Sequence, residues 1–200
     1  MSQTVRLAIL ISGNGSNLQS IIDAIEAGKL DAEIKVVISN NPSAYGLIRA
    51  TQHGLHTWVL DHREFADRER FDNALQHYLQ EIDPDFIVLA GFMRILGPRI
   101  IQAFEDRILN IHPSLLPAYK GLDTHQRALD NHEKEHGVSI HLVTAELDDG
   151  PVIVQASYPV HAGDKAEDLQ QRGHRLEHQM YPQVLRWLSE GSLKIEGGQL

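Results

Sequence analysis

Val5-Arg6-Leu7-Ala8-Ile9-Leu10-Ile11-Ser12-Gly13-Asn14-Gly15-Ser16-Asn17-Leu18 runs from an aliphatic stretch through a glycine turn into a helical pattern. Residues 5–11 are nearly continuous aliphatics with no clean alternation, which predicts a parallel strand buried on both faces. After the turn, Leu18, Ile21, Ile22 and Ile25 recur at helical spacing. Strand, glycine loop and helix together aim backbone N–H groups and a positive helix end at an anion. Gly13 and Gly15 have the backbone freedom that lets a phosphate approach closely. A dinucleotide site does not fit. The pattern is G-x-G-x-x-Leu18, without a third glycine, and the second strand (residues 34–39) ends in Asn40-Asn41 where a ribose-binding acid belongs. No G-K-[ST] follows, which excludes a triphosphate loop. Two readings remain from these residues: a lone mononucleotide-like phosphate site, or a turn that only packs strand on helix.

Further along, α/β alternation continues. A helix runs through Leu47, Ile48 and residues 50–53 and closes at Gly54; residues 57–60 form a short strand. Residues 66–82 place Phe71, Leu75, Tyr78, Leu79 and Ile82 on one helical stripe, and residues 86–90 read as a fourth buried strand. Gly91-Phe92-Met93-Arg94-Ile95-Leu96 then sets an apolar segment with one cation just past a strand's carboxyl end. It suits ordinary packing ahead of a helix at 98–104, or a flat apolar ligand with a charged tail.

The fifth strand, residues 108–112, runs into Pro113-Ser114-Leu115-Leu116-Pro117. Strand period places Asn110 and His112 on one side and Ile111 on the other, and Pro113 ends the ladder. The loop to Lys120-Gly121 lacks apolar periodicity and is expected to be exposed. Asp123 or Thr124 is expected to cap a helix reaching about residue 134. Residues 138–143 alternate, with Val138, Ile140 and Leu142 on one face and Ser139 and His141 on the other. Leu147-Asp148-Asp149-Gly150-Pro151 is an acidic turn between this strand and one at 152–160, an antiparallel arrangement. Asp164 is expected to cap a helix from 165 to about 190, followed by a polar tail, 191–200.

Asn110, His112 and Asp148 form a candidate chemical set. A carboxylate beside an imidazole raises its pKa and fixes its orientation, and a protonated histidine donates to a developing oxyanion. Asn110 offers a second, uncharged donor. This suits acyl transfer with direct attack by the acceptor, since no activated Ser or Cys is evident. Asp148 also fits a plain solvated turn carboxylate.

Bulk properties narrow the class. The 200 residues suffice for one domain with a substantial core; 42% are hydrophobic and 22% charged, as in ordinary globular chains. A net charge of −9 disfavours nucleic acid as a partner. The absence of cysteine excludes disulfides and thiolate zinc sites. No signal peptide or membrane span is expected, and the compartment is expected to be the cytoplasm. Among the 12 histidines, His174-Arg175-Leu176-Glu177-His178 matches a short zinc-protease pattern, which we read as chance, so no metal is expected.

Four segments in order carry a resemblance: residues 11–18, 90–96, 110–117 and 147–151. On these the chain closely resembles the glycinamide ribonucleotide formyltransferases of purine biosynthesis, over nearly its whole length. The resemblance implies an α/β Rossmann-like three-layer sandwich, with a mixed, mostly parallel sheet and helices on both faces. It implies transfer of a formyl group from 10-formyltetrahydrofolate, the co-substrate, to the amine of phosphoribosylglycinamide. The family's phosphate loop matches Gly15, Ser16 and Asn17, and its ribose-side contacts match His174, Arg175, Leu176 and Glu177. Its folate contacts match Arg68, Met93, Arg94, Ile95, Leu96, Asn110, Thr144, Ala145, Glu146 and Leu147. Its catalytic histidine and carboxylate fall on His112 and Asp148, and Ser139 and His141 match cleft-lining residues. Asp149 departs from the pattern, since many members carry glycine there. The expected organisation is one domain, 1–200, with a phosphate-binding half (1–105), a catalytic and folate half (106–190) and the tail. Small molecules are the expected partners, and monomer and homodimer both stay open. The competing readings are a formyltetrahydrofolate deformylase lacking its regulatory domain, and a non-catalytic folate- or nucleotide-binding module.

Overall fold

Alternation inside β1 (Val5–Ile11) decides how the sheet is covered. Leu7, Ile9 and Ile11 join one core cluster, Ala8 and Leu10 join another, and all five are fully buried. A strand whose both faces are apolar needs helices on both sides. The structure, a computed structural model describing residues 4–198, supplies them. The order is β1, α1 (Ser16–Glu26), β2 (Ala32–Ser39), α2 (Tyr45–Gln52), β3 (Thr57–Val59), a 3-10 turn (His62–Glu64), α3 (Arg68–Ile82), β4 (Phe86–Leu89) and α4 (Pro98–Ala103). There follow β5 (Ile108–His112), α5 (Thr124–Asp130), β6 (Glu135–Leu142), β7 (Val152–Pro159) and α6 (Ala166–Glu190).

The seven strands form one sheet in the order β3-β2-β1-β4-β5-β6-β7. The first five strands in that order are parallel; β5–β6 and β6–β7 are antiparallel. Helices α1, α2 and α6 cover the Leu7–Ile9–Ile11 face, and α3 and α4 cover the other. Fully buried Tyr181 of α6 places its hydroxyl 2.9 Å from the Leu89 carbonyl and 3.1 Å from that of Leu109, tying the helix to β4 and β5. The chain winds away from β1 in both directions, through β2 on one side and β4 on the other. A crevice opens where two such windings part, at the carboxyl ends of the strands. The glycine loop, residues 91–96 and the tip of β5 all lie at that edge.

Several local expectations are corrected. Helix α3 begins at Arg68 rather than 66, because Asp67 accepts the Arg70 N–H at 2.8 Å and Asp61 caps a separate 3-10 turn. Helix α5 ends at Asp130 rather than 134, and His132 takes φ 54°. Strand β6 starts at Glu135, earlier than its apolar alternation, through Gly137, where a Cβ would lie 2.2 Å from the Ala156 carbonyl. Asp123 is left-handed and does not cap with its side chain, while the Thr124 hydroxyl donates to the Pro113 carbonyl at 2.7 Å. Asp164 does not cap α6: it binds Arg172, and Asp168 instead accepts the Lys165 N–H at 2.9 Å. The loop expected to be exposed buries Ser114 and Leu116. The expected tail packs back, with Leu193 and Ile195 against the core and Gly198 N–H donating to Asp106. Its residues 199 and 200 lie outside the described residues.

Candidate active site

The glycine loop is built by close backbone packing. Gly15 sits at φ 73° at the start of α1, and a Cβ there would lie 2.6 Å from Gly46 Cα. A Cβ on Gly46 would in turn lie 2.5 Å from Ile11 Cδ1, and Gly46 N–H donates to the Gly13 carbonyl at 3.0 Å. Gly13, expected to share Gly15's role, has open space around its Cβ position. Arg49 braces the loop by donating from Nε to the Asn14 carbonyl (2.9 Å) and from Nη2 to its side-chain oxygen (3.1 Å). Ser16 is half-buried, and Asn17 is buried, donating from Nδ2 to Glu177 Oε2 at 2.8 Å. Asn17 Oδ1 has no partner among the described residues. Of the four residues expected on α6, Glu177 thus reaches the loop. Leu176 packs against the core, Arg175 is exposed, and His174 stacks on His178 with ring centroids 6.0 Å apart.

At the tip of β5 the register sets the polar cluster. Asn110 pairs across the ladder with His141, and His112 with Ser139. Asn110 Nδ2 lies 3.1 Å from His141 Nε2, and His141 Nδ1 lies 2.8 Å from the Leu142 carbonyl. A carbonyl only accepts, so Nδ1 carries the hydrogen and Nε2 receives the amide's. Burial pushes the His141 pKa down, in keeping with this neutral form. His112 is buried, its Nε2–H donating to the Tyr119 carbonyl at 2.9 Å and its Nδ1 3.4 Å from Asp148 Oδ2. The Asp148 side chain is only 8% exposed, on a residue held at φ 49°. Its Oδ2 also accepts the Gly121 N–H at 2.9 Å, and its Oδ1 lies 3.7 Å from His141 Nε2. The expected trio of Asn110, His112 and Asp148 is therefore assembled, with His141 beside it.

Ser139 departs from its expected place in the cleft. It is fully buried, donates to the Ser114 carbonyl at 2.6 Å, and accepts from Leu116 N–H (3.1 Å) and Gln155 (2.8 Å). It anchors the loop after β5. Tyr119 and Gly121 were not foreseen as site residues, because they touch the trio through backbone atoms and so carry no side-chain signal.

Residues 93–96 lie between β4 and α4, and the cluster's apolar surface is divided. Met93 and Ile95 are 71% and 57% exposed, and Leu147, in the turn that carries Asp148, is 50% exposed. Leu96 instead joins the core, and the Arg94 guanidinium lies 4.6 Å from the Phe71 ring centre. Ser12 Oγ accepts the Met93 N–H at 2.8 Å, a link that a serine beside a glycine turn could have suggested. Arg68 donates from Nη2 to the Ile95 carbonyl at 2.8 Å and sits 3.4 Å from Asp72, whose carboxyl pKa burial raises. Thr144 is half-buried, and Ala145 and Glu146 are exposed.

Comparison with known proteins places this arrangement. The formyl transferase family model matches residues 5–185. The chain belongs to the formyl transferase family. A phosphoribosylglycinamide formyltransferase of Escherichia coli K12 is 50% identical over 96% of this chain and 90% of its own. The solved phosphoribosylglycinamide formyltransferase of Coxiella burnetii, in complex with CHES, superposes with TM-score 0.93 at 49% identity, covering 98% of this chain and 92% of that one. Glycinamide ribonucleotide transformylase 1 of Symbiobacterium toebii gives TM-score 0.93 at 44% identity, covering 97% and 92%. Among the described residues of this formyl transferase chain, no group of three or more His, Asp or Glu side chains is placed to hold a metal ion. No described helix is long and apolar enough to cross a membrane.

Proposed function

We propose that the chain transfers a formyl group from 10-formyltetrahydrofolate to the amine of 5'-phosphoribosylglycinamide, giving formylglycinamide ribonucleotide and tetrahydrofolate, a step of purine biosynthesis. The observation that carries the site assignment is the meeting of Asn110, His112 and Asp148 at one crevice edge, between a backbone-built loop and exposed apolar side chains. The N–H groups of Gly15, Ser16 and Asn17 and the positive end of α1 bind the phosphate. Glu177, held by Asn17, faces the ribose, with His174, Arg175 and Leu176 on the same helix. Met93, Ile95 and Leu147 supply apolar cover for a flat co-substrate. Arg68, Arg94, Leu96, Thr144, Ala145 and Glu146 shape its surroundings, with Arg68 the cation nearest its acidic end.

The reaction forms a bond from the acceptor nitrogen to the formyl carbon and breaks the bond from that carbon to the folate nitrogen. One proton leaves the amine and one reaches the folate nitrogen. Asn110 and His112 donate to the formyl oxygen as charge develops. Asp148 holds the His112 ring and handles the amine proton, and His141 fixes the Asn110 amide. For His112 to donate through Nε2, that N–H must leave the Tyr119 carbonyl. Holding both reactants in one crevice supplies the orientation.

We further propose that residues 1–105 and 106–190 serve as the phosphate and catalytic halves of one domain. The cytoplasm is the proposed compartment, supported by the acidic, cysteine-free composition. The test is to mix the chain with 10-formyltetrahydrofolate with and without phosphoribosylglycinamide. Tetrahydrofolate and formylated acceptor form together when the acceptor is present. Release of tetrahydrofolate at the same rate without acceptor would instead make this a hydrolase.

A further inference from the structure

Residues 119–121 lie beside the trio, and each touches the acidic turn or the histidine. The Tyr119 carbonyl accepts from His112 Nε2 (2.9 Å), and Gly121 N–H donates to Asp148 Oδ2 (2.9 Å). Between them, Lys120 Nζ forms an ion pair with the Asp149 carboxylate. Arg127 donates to the carbonyls of Lys120 (2.7 Å) and Leu122 (3.2 Å), fastening the same segment to α5. Tyr119 and Asp148 both hold positive φ, at 57° and 49°, a conformation that non-glycine residues adopt infrequently.

We propose that Lys120 and Asp149 are positioning residues for formyl transfer. Their ion pair clamps residues 119–121 onto the Asp148 turn, fixing the Gly121 N–H on Asp148 and so the reach of that carboxylate to His112. Without the pair, the turn keeps its shape but the carboxylate loses its fixed distance to the imidazole. The two side chains are 36% and 52% exposed, so the effect is modest and salt-sensitive. The inference rests on the reading of His112 and Asp148 as the reacting pair.

The experiment measures kcat and both KM values for Lys120→Met, Asp149→Asn, the double variant and the reversed pair Lys120→Glu with Asp149→Lys. Each single variant lowers kcat about 2–5-fold, with both KM values and the thermal midpoint close to the parent's. The double variant falls no further than the singles, and the reversed pair regains most of the loss. Raising the ionic strength from about 0.01 M to about 1 M lowers parental kcat toward the variants' and leaves theirs unchanged. Parental kcat in both single variants, additive losses, or no recovery in the reversed pair overturns the inference alone. Full activity in His112→Ala, run alongside, overturns the reading of the reacting pair and this inference with it.

Discussion

The two ends of the crevice are built from different materials. At the β1 end the working groups are backbone N–H donors, and the side chains that matter are the ones missing: Gly15 and Gly46 pack with no room for a Cβ. At the β5 end the working groups are side chains, each oriented by a polar partner: Asn110 by His141 across the antiparallel ladder, His112 by the Tyr119 carbonyl and Asp148. The parallel half needs only a strand, a turn and a helix that follow one another in sequence. The antiparallel half draws its trio from β5 and from a turn more than 30 residues later. An added methyl should therefore damage the first end most, and a lost polar atom the second.

The sharpest way to break this contrast is His112→Ala. Loss of one oxyanion donor costs about 10²–10³ in kcat, and His112→Ala is expected to lose at least that. Next comes Gly15→Val, which forces a branched residue to φ 73° against Gly46. It should weaken phosphoribosylglycinamide binding by about tenfold or more while folate affinity holds, since each tenfold is about 1.4 kcal/mol and strained backbone costs about 1–3 kcal/mol. Calorimetry with equal losses for both ligands would erase the distinction. Met93→Asp is smaller still: it puts a charge on a 71% exposed apolar side chain and should raise the folate KM several-fold with acceptor KM unchanged. A variant that fails to fold would mean that Met93 serves the core.

The smallest effect is on stability against pH. Burial holds His125 down at about 4 and also lowers His136, His141 and His178. In the unfolded chain these rings take up protons near pH 6.5, whereas the folded chain resists until lower pH. The unfolded state thus binds more protons in between, and stability falls as pH drops from about 6.5 towards about 4. Thermal midpoints across that window check it; a flat profile would mean that the rings are solvated. Most of these histidines belong to the antiparallel half, so that half should loosen first in hydrogen exchange.

How much could be read in advance follows the same division. β1, the glycine turn and α1 were legible because burial on both faces leaves an aliphatic run and a tight turn leaves glycine. β5 and its Asn110–His112 pairing were legible from period two alone. Ser139 was not: its side of β6 was foreseen, but two of its partners, Ser114 and Leu116, lie in the loop after Pro113, which has no periodicity to mark it as buried. The start of β6 was not legible either: its apolar alternation begins at Val138, whereas Gly137 lets the strand begin earlier by lying against the Ala156 carbonyl with no room for a Cβ. The cap on α6 was not legible because Asp164 and Asp168 both suit the role, and what separates them is that Arg172 and the His161 N–H hold Asp164.

The central claim is that binding and chemistry are built separately in this crevice, and titration of His112→Ala with each ligand in a calorimeter tests it most directly. The account predicts that phosphoribosylglycinamide and a non-transferring folate analogue bind His112→Ala about as tightly as the parent, although turnover is lost. A fall in either affinity that matches the fall in kcat would contradict it, because His112 would then be a binding residue.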